Sequence, residues 1–293
     1  MDPVKKFRQM LVNNEVIVAP GVYDCVSAKI SEKIGFPAVY MGSFITSAAI
    51  YGRPDIGLLT ATEMVANARN LTGAVEIPVI ADADTGYGNP LNVIRTVQEF
   101  EKAGVAGLHI EDQGFPKKCG HMPGRNVIPV AEMVGKIKAA ADARVNRDFV
   151  IVARCDSYAE SGINELIERG QAYVEAGADA FFPILYTSPD LKGELRKVRN
   201  AFEVPLMFTL THYGAVAFLS VQEVAELGYR IMVSPWGALA FASHAVAEFL
   251  KELKTTGSVK RFADRMIPFD DFTDLLGLPG FNALESRYGI KPE

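Results

Sequence analysis

The chain has 293 residues, 49% of them apolar and 22% charged, with a formal net charge of −5. That balance describes a well-cored globular protein and excludes a disordered one, while the acidic excess disfavours a nucleic-acid partner. The opening MDPVKKFRQMLVNNEVIVAP lacks a signal-peptide core and no apolar run is long enough to span a bilayer, so no membrane partner and a cytoplasmic address are expected.

Short runs rich in Val, Ile, Phe and Met recur along the chain. In order they are VIVAP near residue 17, AVYMG from Ala38, PVIAD from Pro78 and GLHIE from Gly107. FVIVAR from Phe149, DAFFP from Asp179, PLMFT from Pro205 and RIMVS from Arg230 follow. Between them lie segments with helical periodicity: TATEMVANARNL, NVIRTVQEFEKAG, VAEMVGKIKAAADAR, INELIERGQAYVEAG and SVQEVAELG. Near-continuous apolar strands alternating with helices imply parallel strands covered by helices. Eight such units in roughly 240 residues predict an α/β chain closed as a (β/α)8 TIM barrel, and no GxGxxG follows the first strand. One barrel domain over 1–293 is expected, with 238–293 a C-terminal helical extension. The apolar tail from Phe262 to Gly289 packs either on its own barrel or, as an exchanged arm, on a neighbouring subunit.

Active sites of such barrels lie at the C-terminal ends of the strands. Strand three runs out into DADTGYG, placing Asp82 and Asp84 on one face, and strand four into Glu111 and Asp112. Asp55 sits earlier, in RPDIG on the long connection after strand two. Clustered carboxylates demand a cation, and oxygen donors favour Mg²⁺ or Mn²⁺; single acids could equally cap helices. Tyr40, Gly42 and Ser43 end strand two and offer a hydroxyl and backbone donors. Arg154 ends strand five, either as a carboxylate clamp or as an ion pair with Glu111. His212, after strand seven, could donate to a substrate oxygen or cap a helix.

The loop GFPKKCGHMPGR, from Gly114, follows strand four and carries Lys117, Lys118, Cys119 and His121. A lysine pair lowers a thiol's pKa, which makes Cys119 a candidate acid, base or nucleophile. The other two cysteines, Cys25 and Cys155, are expected to be free and buried.

GVYD, PDIG, DADTGYG, HIEDQ, KKCGH and ARCD, in that order over nearly the whole chain, resemble the isocitrate lyase and phosphoenolpyruvate mutase superfamily. The resemblance implies a Mg²⁺-dependent barrel, a homotetramer of helix-swapped dimers, acting on a small 2-hydroxy or 2-oxo dicarboxylate. It implies Asp84 as the main metal contact, with Asp82, Glu111 and Asp55 acting mostly through water. Tyr40, Gly42, Ser43, Phe44, Asp82, Arg154, Thr209 and His212 would face the substrate. KKCGH would be the gating loop, its cysteine protonating the carbanion left by cleavage, with Lys117 and His121 beside it.

Three departures stand out: Ile184 where isocitrate and methylisocitrate lyases carry Glu, Thr209 in place of Asn, and Ala240 in place of Arg. They point away from a tricarboxylate and toward an alkyl-substituted malate of the 2,3-dimethylmalate type. Methylisocitrate cleavage, oxaloacetate hydrolysis or decarboxylation, a phosphonate reaction and a non-catalytic barrel are the alternatives.

Overall fold

The computed structural model describes residues 1–211 and 219–289, so His212 lies outside the described residues. The chain divides into two compact units, Met1–Leu239 and Ala240–Glu293.

The first unit contains eight strands: β1 (Ile17–Pro20), β2 (Val39–Met41), β3 (Val79–Asp82), β4 (Gly107–Glu111), β5 (Val150–Cys155), β6 (Ala180–Pro183), β7 (Met207–Thr209) and β8 (Ile231–Ser234). Each lies within an apolar run predicted from sequence. Parallel pairing joins β2 through β6 in order, and β7 to β8 to β1. Parallel bridges between Gly21 and Tyr40 and between Phe181 and Leu206 link the two groups, so the ring closes as a (β/α)8 barrel.

Two side-chain layers hold it, and strand alternation assigns residues to each. Val79, Ala81, Leu108, Ile110, Ile151 and Ala153 belong to the larger cluster, with apolar residues of the covering helices such as Val97, Ile137 and Leu166. Ile80, Val150, Val152, Ala180, Phe182, Met207, Ile231 and Val233 form the barrel interior. The same parity aims Tyr40, Asp82, His109, Glu111, Arg154 and Thr209 inward at the C-terminal end.

The predicted helices are present, and several begin at a side-chain cap: Thr60 for Ala61–Ala74, Asn89 for Pro90–Lys102 and Ser220 for Val221–Glu226. One differs. The segment expected from Ile163 already coils from Tyr158, interrupted at Gly162, where φ is 74°. Glycine tolerates that left-handed backbone, so the short turn is added without a clash.

The second unit carries most of the helix Gly237–Thr256, a 3₁₀ turn at Lys260–Arg265, and the helices Phe269–Leu275 and Leu278–Arg287. Phe262 is its buried anchor, packed on Phe249 and covered by the guanidinium groups of Arg261 and Arg265. Among the described residues no helix is long and apolar enough to cross a membrane.

Candidate active site

The turn after β3 is built under strain. The Asp84 amide donates to Asp82 Oδ1 at 2.9 Å, and Asp84 is held at φ 47°. Such a backbone costs a non-glycine residue about 1–3 kcal/mol and persists only where its surroundings dictate it. Two buried side chains do so: Lys136 Nζ donates to the Thr85 carbonyl and Thr96 Oγ1 to that of Gly86, each at 3.1 Å.

Asp82 is the organiser of this mouth. Its Oδ2 accepts from the Ser43 amide at 3.1 Å, from Ser43 Oγ at 2.9 Å and from the Tyr40 hydroxyl at 3.5 Å. Burial acts to raise its pKa, but His109, Lys117, Arg154 and the Asp84 amide outweigh it and leave the carboxyl below its usual range. Burial also takes His109 down to about 4, so at neutral pH the compensating charge comes from Lys117 and Arg154.

Lys117, 3% exposed, reaches from the loop into the acidic group. Its Nζ lies 2.5 Å from Asp55 Oδ1 and 2.6 Å from Asp84 Oδ1, and donates to Ser43 Oγ at 2.7 Å. The Asp84 contact is a charge contact outside hydrogen-bond geometry, for Asp84 Oδ1 is buried without a hydrogen-bond partner. Burial pushes Asp84 up to about 6, with Asp82 and Asp55 adding to the rise and Lys117 opposing it.

Arg154 holds Asp156 through Nε at 2.8 Å and Nη2 at 3.0 Å, and its Nη1 stands 2.9 Å from Glu111 Oε2. Neither Glu111 oxygen makes a hydrogen bond, and burial pushes that carboxyl well above its usual range. Arg154 makes the foreseen ion pair with Glu111, and it also lines the cavity.

Asp84 and Glu111 present buried carboxylate oxygens that meet a cationic side chain but make no hydrogen bond, a hard-oxygen set that suits a hard cation. Among the described residues no three acidic, histidine or cysteine side chains close into a ready-made cage. Such an ion would therefore be held by one or two carboxylates, with water completing its shell.

The loop lies over this group. The Cys119 amide donates to the Asp55 carbonyl at 3.1 Å, and His121 stacks on Tyr186 with ring centres 3.7 Å apart. A cavity of about 50 Å³ remains beneath it. Its lining includes Tyr40, Gly42, Asp55, Asp82 and Arg154, the apolar side chains of Phe44, Phe182, Val233 and Trp236, and Cys119, His121, Tyr186 and Thr209.

Several expectations change. Lys117 points to the carboxylates, and the lowering that it, Arg154 and the His121 amide exert on the thiol is outweighed. Burial raises the Cys119 pKa, and Asp55 adds to the rise. Cys119 is thus a thiol at neutral pH, suited to donate a proton. Ser43 gives both its amide and its hydroxyl to Asp82, so neither is left for a substrate. Asp112 follows the outward parity of Ile110 and faces the helix layer, accepting from Tyr173 Oη at 2.8 Å and the Asp156 amide at 2.8 Å. Ile184 is buried with the barrel-interior cluster, and Phe182 and Tyr186 form the cavity wall in its place. Ala240 belongs to the second unit. Cys25 is half-buried at the first turn of its helix rather than enclosed, whereas Cys155 is buried as expected.

Sequence reading missed Tyr186, Trp236, Asp156 and His109. His109 and Asp156 carried a signal: His109 shares the inward parity of Glu111, and Asp156 lies two residues past Arg154.

The Phosphoenolpyruvate phosphomutase family model matches residues 7–254. A 2,3-dimethylmalate lyase of Eubacterium barkeri is 44% identical over 98% of this chain and 99% of its own. Among solved structures, oxaloacetate acetylhydrolase with 3,3-difluorooxalacetate superposes with a TM-score of 0.93 at 34% identity, covering 100% of this chain and 99% of the other. Phosphonopyruvate hydrolase in complex with oxalate and Mg²⁺ reaches 0.89 at 30% identity over 98% and 99%. Likeness of this extent, on a barrel whose acidic mouth and KKCGH loop come together as the motifs require, means that the chain belongs to the phosphoenolpyruvate mutase and isocitrate lyase superfamily.

Proposed function

We propose that the chain is a Mg²⁺-dependent carbon–carbon lyase that cleaves an alkyl-substituted malate, of the 2,3-dimethylmalate type, into a 2-oxo acid and a carboxylate. The observation that carries this reading is the make-up of the cavity: Arg154 is the only guanidinium or ammonium among its described lining residues, and Phe44, Phe182, Val233 and Trp236 give it apolar surface. One carboxylate is met beside Arg154 and the Tyr40 hydroxyl, and alkyl groups are met by Phe44, Phe182 and Trp236.

Asp84 would hold the metal directly, with Asp55 and Glu111 reaching it through water. When bound, the ion supplies Lewis-acid stabilisation of the negative charge developing on the C2 oxygen. The protein's own part begins with orientation, Arg154 fixing the 2-hydroxy acid half by a charge-assisted contact. A carboxylate of the acidic group accepts the 2-hydroxyl proton, the C2–C3 electrons move onto the departing fragment, and C2 becomes a keto carbon. The Cys119 thiol then gives its proton to C3, completing the carboxylate product. The docked loop keeps bulk water from that carbanion.

A third carboxylate would find no second guanidinium or ammonium among the described lining residues, at a cost of several kcal/mol. With Mg²⁺ present, 2,3-dimethylmalate is expected to exceed methylisocitrate in kcat/KM by at least about a hundredfold, or roughly 2.7 kcal/mol. Release of 2-oxo acid from a panel that also includes oxaloacetate and phosphonopyruvate measures this. Comparable values for the two malate-type substrates would overturn the reading of the wall. Oxaloacetate hydrolysis is the second reading, favoured by the likeness to the acetylhydrolase and by the Tyr186 hydroxyl donating to Thr209 Oγ1 at 3.1 Å, a pair able to hold water.

The second unit leaves Phe241, Phe269 and Phe281 exposed, which supports a homotetramer of helix-swapped dimers. Light scattering at micromolar concentration is expected to give four times the monomer mass of 31.9 kDa. A monomer mass would remove this assembly.

A further inference from the structure

We propose that Arg125 is a latch for the loop and that Asp156 couples it to Arg154, so that loop closure and the orientation of the carboxylate-binding arginine are one event. This deepens the lyase reading and rests on it.

Asp156 is 2% exposed, and its amide is tied to Asp112 Oδ1 at 2.8 Å, which makes it a fixed post at the end of β5. It receives two guanidinium groups. Arg154 donates to Oδ2 from Nε at 2.8 Å and to Oδ1 from Nη2 at 3.0 Å, while Arg125 Nη1 donates to the same Oδ1 at 3.0 Å. Arg125 Nη1 also donates to the carbonyl of Gly120, the residue next to Cys119. The thiol-bearing segment is therefore pinned on two sides, by Asp55 through the Cys119 amide and by Arg125 through Gly120.

The fit at Gly120 shows how closely the pinned segment approaches Arg154. A Cβ there would lie 2.8 Å from Tyr186 Cε2 and 3.0 Å from Arg154 Nη2. Glycine is the residue that permits this approach. When Arg154 is fixed on Asp156, Oδ1 is set to accept Arg125 and the loop closes; when Arg154 leaves, the post carries one partner and the Gly120 seat changes shape. Arg125 touches no reacting atom, so it acts as a positioning residue for Cys119.

The test uses oxalate with Mg²⁺ as the probe and iodoacetamide alkylation of Cys119 as the readout, resolved from Cys25 by peptide mass spectrometry. In the wild-type protein saturating oxalate is expected to slow alkylation of Cys119. In Arg125→Met the slowing is expected to shrink by about tenfold or more, the weight of one charge-assisted hydrogen bond, and, because closure and binding are linked, oxalate affinity by calorimetry is expected to weaken by no more than that same factor. Turnover is expected to show kcat reduced by a similar factor with KM nearly unchanged, and Arg125→Lys to recover part of it.

Wild-type protection that survives intact in Arg125→Met would overturn the latch. So would a loss of oxalate affinity with protection unchanged at saturation, which would make Arg125 a binding group. No protection in the wild type would count against the gating-loop reading itself, a distinct failure. If Arg125→Met does not fold, Arg125→Gln carries the same test: full protection overturns the proposal, and diminished protection at saturating oxalate upholds it.

Discussion

Asp84→Ala is expected to lower kcat/KM by about a thousandfold and to weaken Mn²⁺ binding by at least about a hundredfold. The activity figure corresponds to roughly 4 kcal/mol of lost transition-state charge stabilisation. Asp84 is chosen over its neighbours because their oxygens are committed. Asp82 accepts from Ser43, Tyr40 and the Asp84 amide, and Asp55 accepts from Ser43 Oγ as well as pairing with Lys117, whereas Asp84 Oδ1 meets the Lys117 ammonium at 2.6 Å without a hydrogen bond, a charge contact that a divalent cation would replace. Stability separates ligand loss from unfolding. Burial, with the Asp82 and Asp55 charges adding to it, pushes Asp84 up to about 6, so removing this carboxyl relieves a buried repulsion. Placing alanine at φ 47° costs only about 1–2 kcal/mol. The thermal midpoint is therefore expected to stay close to wild type while metal affinity collapses. Chelation of the wild-type protein is expected to abolish turnover, and Mg²⁺ or Mn²⁺ to restore it. Full activity in excess chelator would remove the metal from the mechanism, and unaltered Mn²⁺ affinity in the variant would remove Asp84 as its ligand.

Why the acidic mouth was legible in sequence while the loop was not comes down to periodicity. The strand period of two fixes which side of the wall a residue faces once the strand is placed. Ile80 then Asp82, Val152 then Arg154, and His109 then Glu111 each follow from it. The same rule, applied one residue further, would have turned Asp112 away from the mouth. GFPKKCGHMPGR has no period to read. Its side chains are directed by partners distant in sequence: Asp55 and Ser43 draw Lys117 inward, Asp156 takes Arg125, and Tyr186 receives His121. A lysine pair beside a cysteine looks like thiolate activation when only neighbours in sequence are considered. In three dimensions the charge is delivered elsewhere. Cys25 shows the complementary error, since helical periodicity indicates a face but not how deeply the first turn is covered.

Cys119→Ser is expected to lower kcat by about a hundredfold to ten-thousandfold, the range for losing a positioned general acid. The group that remains is the same shape but a far weaker acid, so proton delivery to C3 becomes the slow step. Binding of oxalate with Mg²⁺ is expected to change little, because Arg154, Tyr40 and the metal ligands that hold the 2-oxo acid half are untouched. The raised thiol pKa makes this sharper: burial keeps the proton on sulfur at neutral pH, so the acid form is the resting form and no prior protonation is needed. Single-turnover kinetics resolve the two halves of the reaction. If Cys119 protonates the carbanion, the variant forms the 2-oxo acid and carbanion reversibly, and both products leave slowly. In deuterated water, isotope incorporation at C3 of the carboxylate product is expected to slow with them. Undiminished release of both products by Cys119→Ser would make the thiol a bystander and hand the proton to another cavity group, with the Tyr40 hydroxyl and His121 the next to substitute.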